Sequence, residues 1–216
     1  MKQTINLGSY GWLHQDWINS FYPEDLPADW RLGYYSNEFN TVLVPAFYWR
    51  QGYMADCGAL LDDVHPGFQF FIECDERIFD TVSLLDLTVA LKLLGQQLSG
   101  LVLPGGQQAK RAVDDRFIEL ADSLGVDMIS AQTVPGAEKL WYPAGSSADC
   151  QQQLRFAIIE DDLRDLRALR SKIEPFTRQL QAQRLDEKGG VLIVSHPKLQ
   201  AADLGKLRSV LEIMGH

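Results

Sequence analysis

The stretch TINLGSYGWLHQDWINSFYP, Thr4 to Pro23, joins a short apolar run to a loop rich in aromatic residues. The run Thr4–Ser9 is typical of a β-strand, and Gly11 lets the backbone turn sharply as it leaves that strand. If this is the first strand of a (β/α) barrel, the aromatic loop lies at the carboxyl end of the barrel, where such folds carry their sites. The loop is therefore both a fold signal and a candidate binding surface.

The rest of the chain alternates short apolar runs with helical patterns, which predicts parallel β–α units. Near-continuous runs such as VLIV (191–194) suit strands that are covered on both faces. The predicted strands are Thr4–Ser9, Asn40–Pro45, Gly67–Cys74, Gly100–Leu103, Asp127–Ala131, Leu154–Glu160 and Gly190–Ser195. The predicted helices are Leu84–Leu98, Gln107–Leu124, Asp161 to about Leu185, and about Gln200 to Met214.

One segment breaks this alternation. Only a short connection with Pro135 and Gly136 separates the strand near Ile129 from a possible strand at Lys139–Tyr142. A parallel crossover needs roughly a dozen residues or more, so this unit is missing, antiparallel or irregular. We therefore predict an α/β fold with one domain over residues 1–216, a TIM-barrel-like (β/α) barrel that is trimmed or irregular around strands 5–7. An open doubly wound sheet is the alternative.

Composition narrows the class of protein. The 216 residues carry a formal net charge of -9, which argues against nucleic acid as the main partner because phosphate contacts need a basic surface. No segment has the roughly 18 consecutive apolar residues of a membrane helix, so no membrane association is expected. The three cysteines form no CxxC pair, and the N-terminus has no apolar signal region. These features predict a cytoplasmic protein with free thiols.

The order of motifs resembles the DUF72 family, also called YecE-like proteins. The resemblance is carried by GSYGWLHQDWINSFYP (8–23), YYSNEFNTVLVPAFYW (34–49), FQFFIECDERI (68–78) and SGLVLPGG (99–106). It implies a TIM-barrel-type fold and no established activity. It also implies that Trp12 and Trp17 wall the mouth of the barrel, with Tyr48 arriving from the end of the second strand.

The chain departs from the family pattern at the strand ends. Leu43 stands where the family's V-E-I-N-x-T-F-Y pattern has a carboxylate, and Val102 stands where Q-L-P-P has Gln. Glu73 stands where F-x-F-x-x-K has Lys, which reverses the charge. The scaffold pattern is kept while the shared polar set is largely lost.

Two residues are candidates for catalysis. His196 directly follows the last predicted strand, where a side chain that titrates near neutral pH is well placed for acid–base chemistry. It could instead cap the strand end through the backbone. Glu73 leaves the third strand on the same side as Asp75, and Glu160 ends the seventh. These carboxylates could bind a ligand or act as acid and base, or they could be solvated loop groups.

The aromatic residues Tyr10, Trp12, Trp17 and Tyr48, with His14 between the two tryptophans, are the other candidates for ligand binding. Such rings stack on sugars and on nucleobases alike, but aromatic residues in this pattern are more often core or lid residues. His14 could equally sit exposed on the loop.

Three functions remain open from the sequence. The first is binding of a small polar ligand at an aromatic mouth, without an assignable reaction. The second is metal-assisted hydrolysis of a glycosidic or phosphodiester bond through Glu73, Asp75, Glu160 and His196. The third is a non-catalytic protein that works through contact with another protein, which would carry an exposed apolar patch. No metal-ligand spacing is present, and the sequence assigns neither a cofactor nor an oligomeric state.

Overall fold

The strands form a closed barrel in chain order, which confirms the TIM-barrel-like prediction. The computed structural model describes residues 4–103, 114–134, 137–143, 156–160, 163, 165–182 and 189–216. Its strands are β1 (Ile5–Tyr10), β2 (Thr41–Val44), β3 (Gln69–Glu73), β4 (Leu98–Leu103), β5 (Met128–Val134), β6 (Ala137–Pro143), β7 (Phe156–Ile159) and β8 (Gly190–Val194).

The irregular segment is an antiparallel strand. β6 pairs antiparallel with both β5 and β7, whereas every other neighbouring pair is parallel. The physical reason is the length of the connection, which is too short for a crossover. β1 pairs with β8 from Ile5 opposite Gly190 to Ser9 opposite Val194, so the sheet closes and the open-sheet alternative is wrong.

Helices cover the outside of the barrel between most of the strands. The predicted helix Leu84–Leu98 is too long, because Gly95 takes a φ of +54° and Leu98 already begins β4. Residues 107–113 and 183–185 of two other predicted helices lie outside the described residues. The helices are α1 (Arg31–Ser36), α2 (Ala46–Arg50), α3 (Ala59–Asp62), α4 (Leu84–Lys92), α5 (Asp115–Leu124), α6 (Leu166–Ala182) and α7 (Ala201–Ile213).

The barrel interior is a packed apolar core. Side chains from six strands meet there, and the Tyr10 ring packs against their edge. Because this interior is filled, functional chemistry must take place at an end of the barrel rather than inside it. The interior residues are Leu43, Phe71, Val102, Ile129, Phe156, Ile158, Val191 and Ile193.

Two other predictions from the sequence concern membrane helices and the state of the cysteines. Within the described part of the chain, none of the helices combines the length and the apolar character needed to cross a membrane. Cys57 and Cys74 are buried free thiols, while Cys150 lies outside the described residues.

Candidate functional site

The aromatic loop after β1 is part of the core. Trp17 has no exposed surface, and its indole N–H donates to the Leu199 carbonyl oxygen at 2.7 Å. Trp12 is also buried, and the Tyr48 hydroxyl accepts the backbone N–H groups of Trp12 and Leu13 at 3.1 and 2.9 Å. Burial raises the pKa of Tyr48 to about 12, so this hydroxyl stays neutral. These rings fasten the loop to the barrel, and their burial gives no support to the ligand-stacking prediction.

The first and last loops meet at the same end of the barrel. Trp17 on the first loop contacts Leu199, whose own N–H donates to the His196 carbonyl oxygen at 3.0 Å. Both loops follow parallel strands, so this is the carboxyl end. The barrel geometry thus brings the aromatic loop and His196 to one pole, as the sequence predicts.

A tyrosine–carboxylate pair occupies the edge of this pole. The Tyr10 hydroxyl donates to Glu73 Oε2 at 2.5 Å, and the Ala46 N–H donates to the same oxygen at 2.9 Å. Glu73 Oε1 has no hydrogen-bond partner among the described residues, and it is not a fully buried atom. Glu73 is half-buried. Two donors hold its Oε2, and its Oε1 keeps exposed surface. We call Tyr10, Glu73 and the N–H of Ala46 the mouth triad.

Burial sets the protonation of this pair. Loss of solvent raises the pKa of the Glu73 carboxyl, and the bonds from Tyr10 and Ala46 oppose this effect without cancelling it. Burial, followed by the charge of Glu73, also raises the pKa of Tyr10. Tyr10 is therefore a permanent proton donor in the pair, and Glu73 is a carboxylate that is unusually easy to protonate.

Of the other predicted site residues, Asp75 lies close enough to influence the pair electrostatically. It accepts the Arg77 N–H at 3.0 Å and pairs with the Arg77 guanidinium. Hydrogen bonding to that guanidinium holds the pKa of Asp75 below its usual range. Asp75 thus caps the short helical turn Glu76–Asp80, which accounts for its position without a ligand.

Among the described residues, Glu160 and His196 form no hydrogen bond or ion pair with the mouth triad. Glu160 is exposed, and His196 Nδ1 accepts the Lys198 N–H at 3.2 Å, the backbone-capping alternative for this histidine. No three histidine, cysteine or acidic side chains in the described ranges group so that they could hold a metal ion. The four residues of the hydrolase hypothesis all belong to those ranges; Glu73 and Asp75 influence each other electrostatically, but the four do not form such a metal-binding group.

His14 lies on the inner side of the loop. Its ring stacks on Trp17 with centroids 4.3 Å apart, and its Nε2 is buried without a hydrogen-bond partner in the described part of the chain. Burial lowers the pKa of His14, which favours a neutral ring.

Phe47 is the mouth residue that the sequence reasoning missed. Its ring is 36% exposed and lies 6.5 Å from the Tyr10 ring, edge to face. The available signal was the start of α2 at Ala46, because a helix that begins there turns Tyr48 toward the core and leaves Phe47 outside.

A closed barrel with polar groups at the carboxyl ends of its strands defines a protein of the TIM-barrel type. The model of the DUF72 family, "Protein of unknown function DUF72", matches residues 6–211, and the chain belongs to this family.

Two solved structures are similar to this chain, and the first of them supports the same fold. A DUF72 family protein from Thermotoga maritima is 14% identical, with a TM-score of 0.52 over 96% of this chain and 99% of that chain. A second, from Enterococcus faecalis, is 9% identical, with a TM-score of 0.48 over 97% and 96% of the two chains. No curated protein matches the sequence.

Replacing Glu73 with Gln should raise stability at neutral pH relative to acid pH. The folded-state pKa of Glu73 is raised, so its contribution to stability is present below the unfolded value and is lost as pH rises through the folded value. The Gln variant lacks this titration and retains an oxygen acceptor for Tyr10 and Ala46. Both proteins should be unfolded with urea between about pH 4, near the ordinary pKa of a glutamate, and about pH 8. As the pH rises, the wild type should lose stability relative to the variant. A difference that does not change with pH would contradict the desolvation of Glu73, and Glu24→Gln, at an exposed position, is the matched control.

Proposed function

We propose that this DUF72 protein binds a small polar ligand at the carboxyl end of the barrel, with Glu73 as the principal hydrogen-bond acceptor. One observation carries the proposal: Tyr10 and Ala46 hold Glu73 Oε2, while Oε1 keeps exposed surface and has no hydrogen-bond partner among the described residues. A carboxylate that is already oriented binds a donor without paying to order its side chain.

The cost of burying Glu73 supports a binding role. A desolvated carboxylate reduces stability unless its surroundings compensate, and here its pKa remains raised despite two hydrogen bonds. The apolar interior below it, including Val102 and Ile193, could have been continued by an apolar residue at position 73. Groups that lower stability in this way are typical of functional sites.

The proposal assigns no reaction. Glu73 has the free oxygen that an acid or base needs. His196, however, is bonded to the backbone of its own loop, and no hydrogen bond joins it to Glu73 among the described residues. Trp12, Trp17 and Tyr48 have a supporting role in it, since they hold the loop that carries the rim. We further propose that the protein acts in the cytoplasm, on the basis of its free thiols.

The test is a screen of small polar compounds that reports where they bind. Methyl NMR distinguishes the interior residues Val102 and Ile193, beneath the mouth, from the exposed residues Leu85 and Ile213 on the outer surface. Compounds that bind as proposed should shift the interior methyl resonances at millimolar concentration or below, an affinity of about 4 kcal/mol or more. A screen whose hits move only the outer resonances would refute the proposal.

A second candidate function, contact with another copy of the chain, is favoured by one observation. Leu85 and Val89 on α4 and Leu93, the residue directly after its end, lie one turn apart, and they are 71%, 56% and 53% exposed. Three aliphatic residues at this spacing form an apolar ridge of the kind that helix pairs bury. Sedimentation should show a dimer that Val89→Lys dissociates, whereas Lys92→Ala on the same helix should leave it intact; a monomer at high concentration would exclude this function.

A further inference from the structure

We infer that the ligand of the mouth carries an ammonium group, which Glu73 Oε1 accepts beside the rings of Tyr10 and Phe47. The inference rests on the proposed function and narrows its ligand class. It depends on three features of the mouth: the negative charge of Glu73, the rings of Tyr10 and Phe47, and the free oxygen of the Glu73 carboxylate.

Among the charged residues near the mouth, Asp75 has an ion-pair partner, whereas Glu73 has none among the described residues. Asp75 is already paired with Arg77, and Arg50 adds a further positive charge near Asp75. Glu73 forms no ion pair with any described residue, and its two hydrogen bonds come from neutral donors, a hydroxyl and a backbone N–H. Arg77 lowers the pKa of Glu73 through its charge, but burial outweighs this effect and the pKa stays raised. A partly desolvated carboxylate of this kind favours a cation over an anion or a neutral molecule.

The neighbouring rings are suited to the same group. Tyr10 and Phe47 lie 6.5 Å apart with their planes at 61°, and Phe47 keeps 36% of its surface exposed. A cation beside aromatic rings is attracted by their π-electrons. The backbone joins Phe47 directly to Ala46, whose N–H fixes Glu73, so the ring and the carboxylate are held together.

The free oxygen distinguishes an ammonium from other donors. A hydrogen bond between charged groups is roughly twice as strong as one between neutral groups, so an amine should exceed an alcohol of the same size. A carboxylate ligand would face Glu73 with like charge. Because the interior below is filled by side chains, the ligand must be small or must extend outward from the mouth.

The experiment titrates the protein with three two-carbon probes, ethylammonium, ethanol and acetate, at constant ionic strength. The Tyr10 and Phe47 ring resonances and the Val102 methyl resonances report binding. We expect ethylammonium to bind at millimolar concentration, ethanol at least tenfold more weakly and acetate not at all. Glu73→Gln should weaken ethylammonium tenfold or more, whereas Glu24→Gln, at an exposed position, should leave it unchanged.

A measurement on the wild type keeps the test valid if Glu73→Gln fails to fold. Ethylammonium stays charged across the acid range, so its binding should be lost as pH falls and Glu73 is protonated. Asp75 also faces this region with its partner Arg77, and its pKa is lowered, so it titrates below Glu73. Tyr10 remains protonated throughout this range.

The outcomes separate the inference from the proposed function. If ethanol and ethylammonium bind the mouth equally and neither responds to Glu73→Gln or to acid, the ammonium inference is wrong while the binding site remains. If acetate binds best, the inference is likewise wrong. If no probe moves the mouth resonances and the wider screen also moves only outer ones, both fail.

Discussion

Replacing Trp17 with Ala is expected to lower the free energy of unfolding by about 3–5 kcal/mol, the range for truncating a buried tryptophan. Trp17 is completely buried, and its ring packs against Tyr22, Tyr35 and the stacked ring of His14. The same substitution removes the N–H that reaches Leu199, which leaves a carbonyl oxygen without its partner. Both losses act on the contact that joins the first loop to the last.

Two control variants separate these contributions in urea unfolding. Trp17→Phe keeps most of the packing and removes the hydrogen bond, so it should cost only about 1–3 kcal/mol. Trp30→Ala removes a ring that is 65% exposed and should change stability by less than about 0.5 kcal/mol. A Trp17→Ala variant as stable as the wild type, with weakened ligand binding, would contradict this structural role and support the prediction of Trp17 as a binding surface.

The barrel could be predicted from the sequence because its strands carry strong apolar runs. The short connection near Pro135 excludes a parallel crossover, a covalent limit that needs no tertiary information, but it leaves open whether the unit is missing, antiparallel or irregular; the structure makes β6 antiparallel. The end of α4 could not be placed in this way, because LLDLTVALKLLGQQL continues a helical pattern past Lys92. Pairing of Leu98 with Phe70 on β3 overrides that local preference.

The candidate site was only partly predictable for a different reason. Alternation along a strand predicts that Glu73 and Asp75 point to the same side, but no pattern shows that both donors bind one oxygen of Glu73. The sequence does not assign the tryptophans to the core or to the mouth, because aromatic residues suit both core and binding surfaces. Burial decides between the two roles, and for Trp12 and Trp17 it depends on how the loop folds back onto the strands.

Replacing Phe71 with Ala should also lower the free energy of unfolding by about 3–5 kcal/mol, because it opens a cavity inside the closed barrel. Phe71 is 5% exposed, and its ring packs against Phe156 across the interior with centroids 4.7 Å apart. The surrounding strands are tied to each other by hydrogen bonds, so they cannot collapse to fill the space.

The same substitution tests how the interior supports the mouth. Glu73 lies two residues beyond Phe71 on the same side of β3, so the cavity opens beneath the mouth triad. We expect Phe71→Leu to retain most of the stability and Ile118→Ala, at a position 41% exposed, to cost less than about 1 kcal/mol in the same urea titration. If Phe71→Ala were as stable as Ile118→Ala, the interior would not be the packed core described above. The packed side chains beneath Glu73 could then no longer explain how its carboxylate is held in one orientation, and ligand selection by an oriented carboxylate depends on such support.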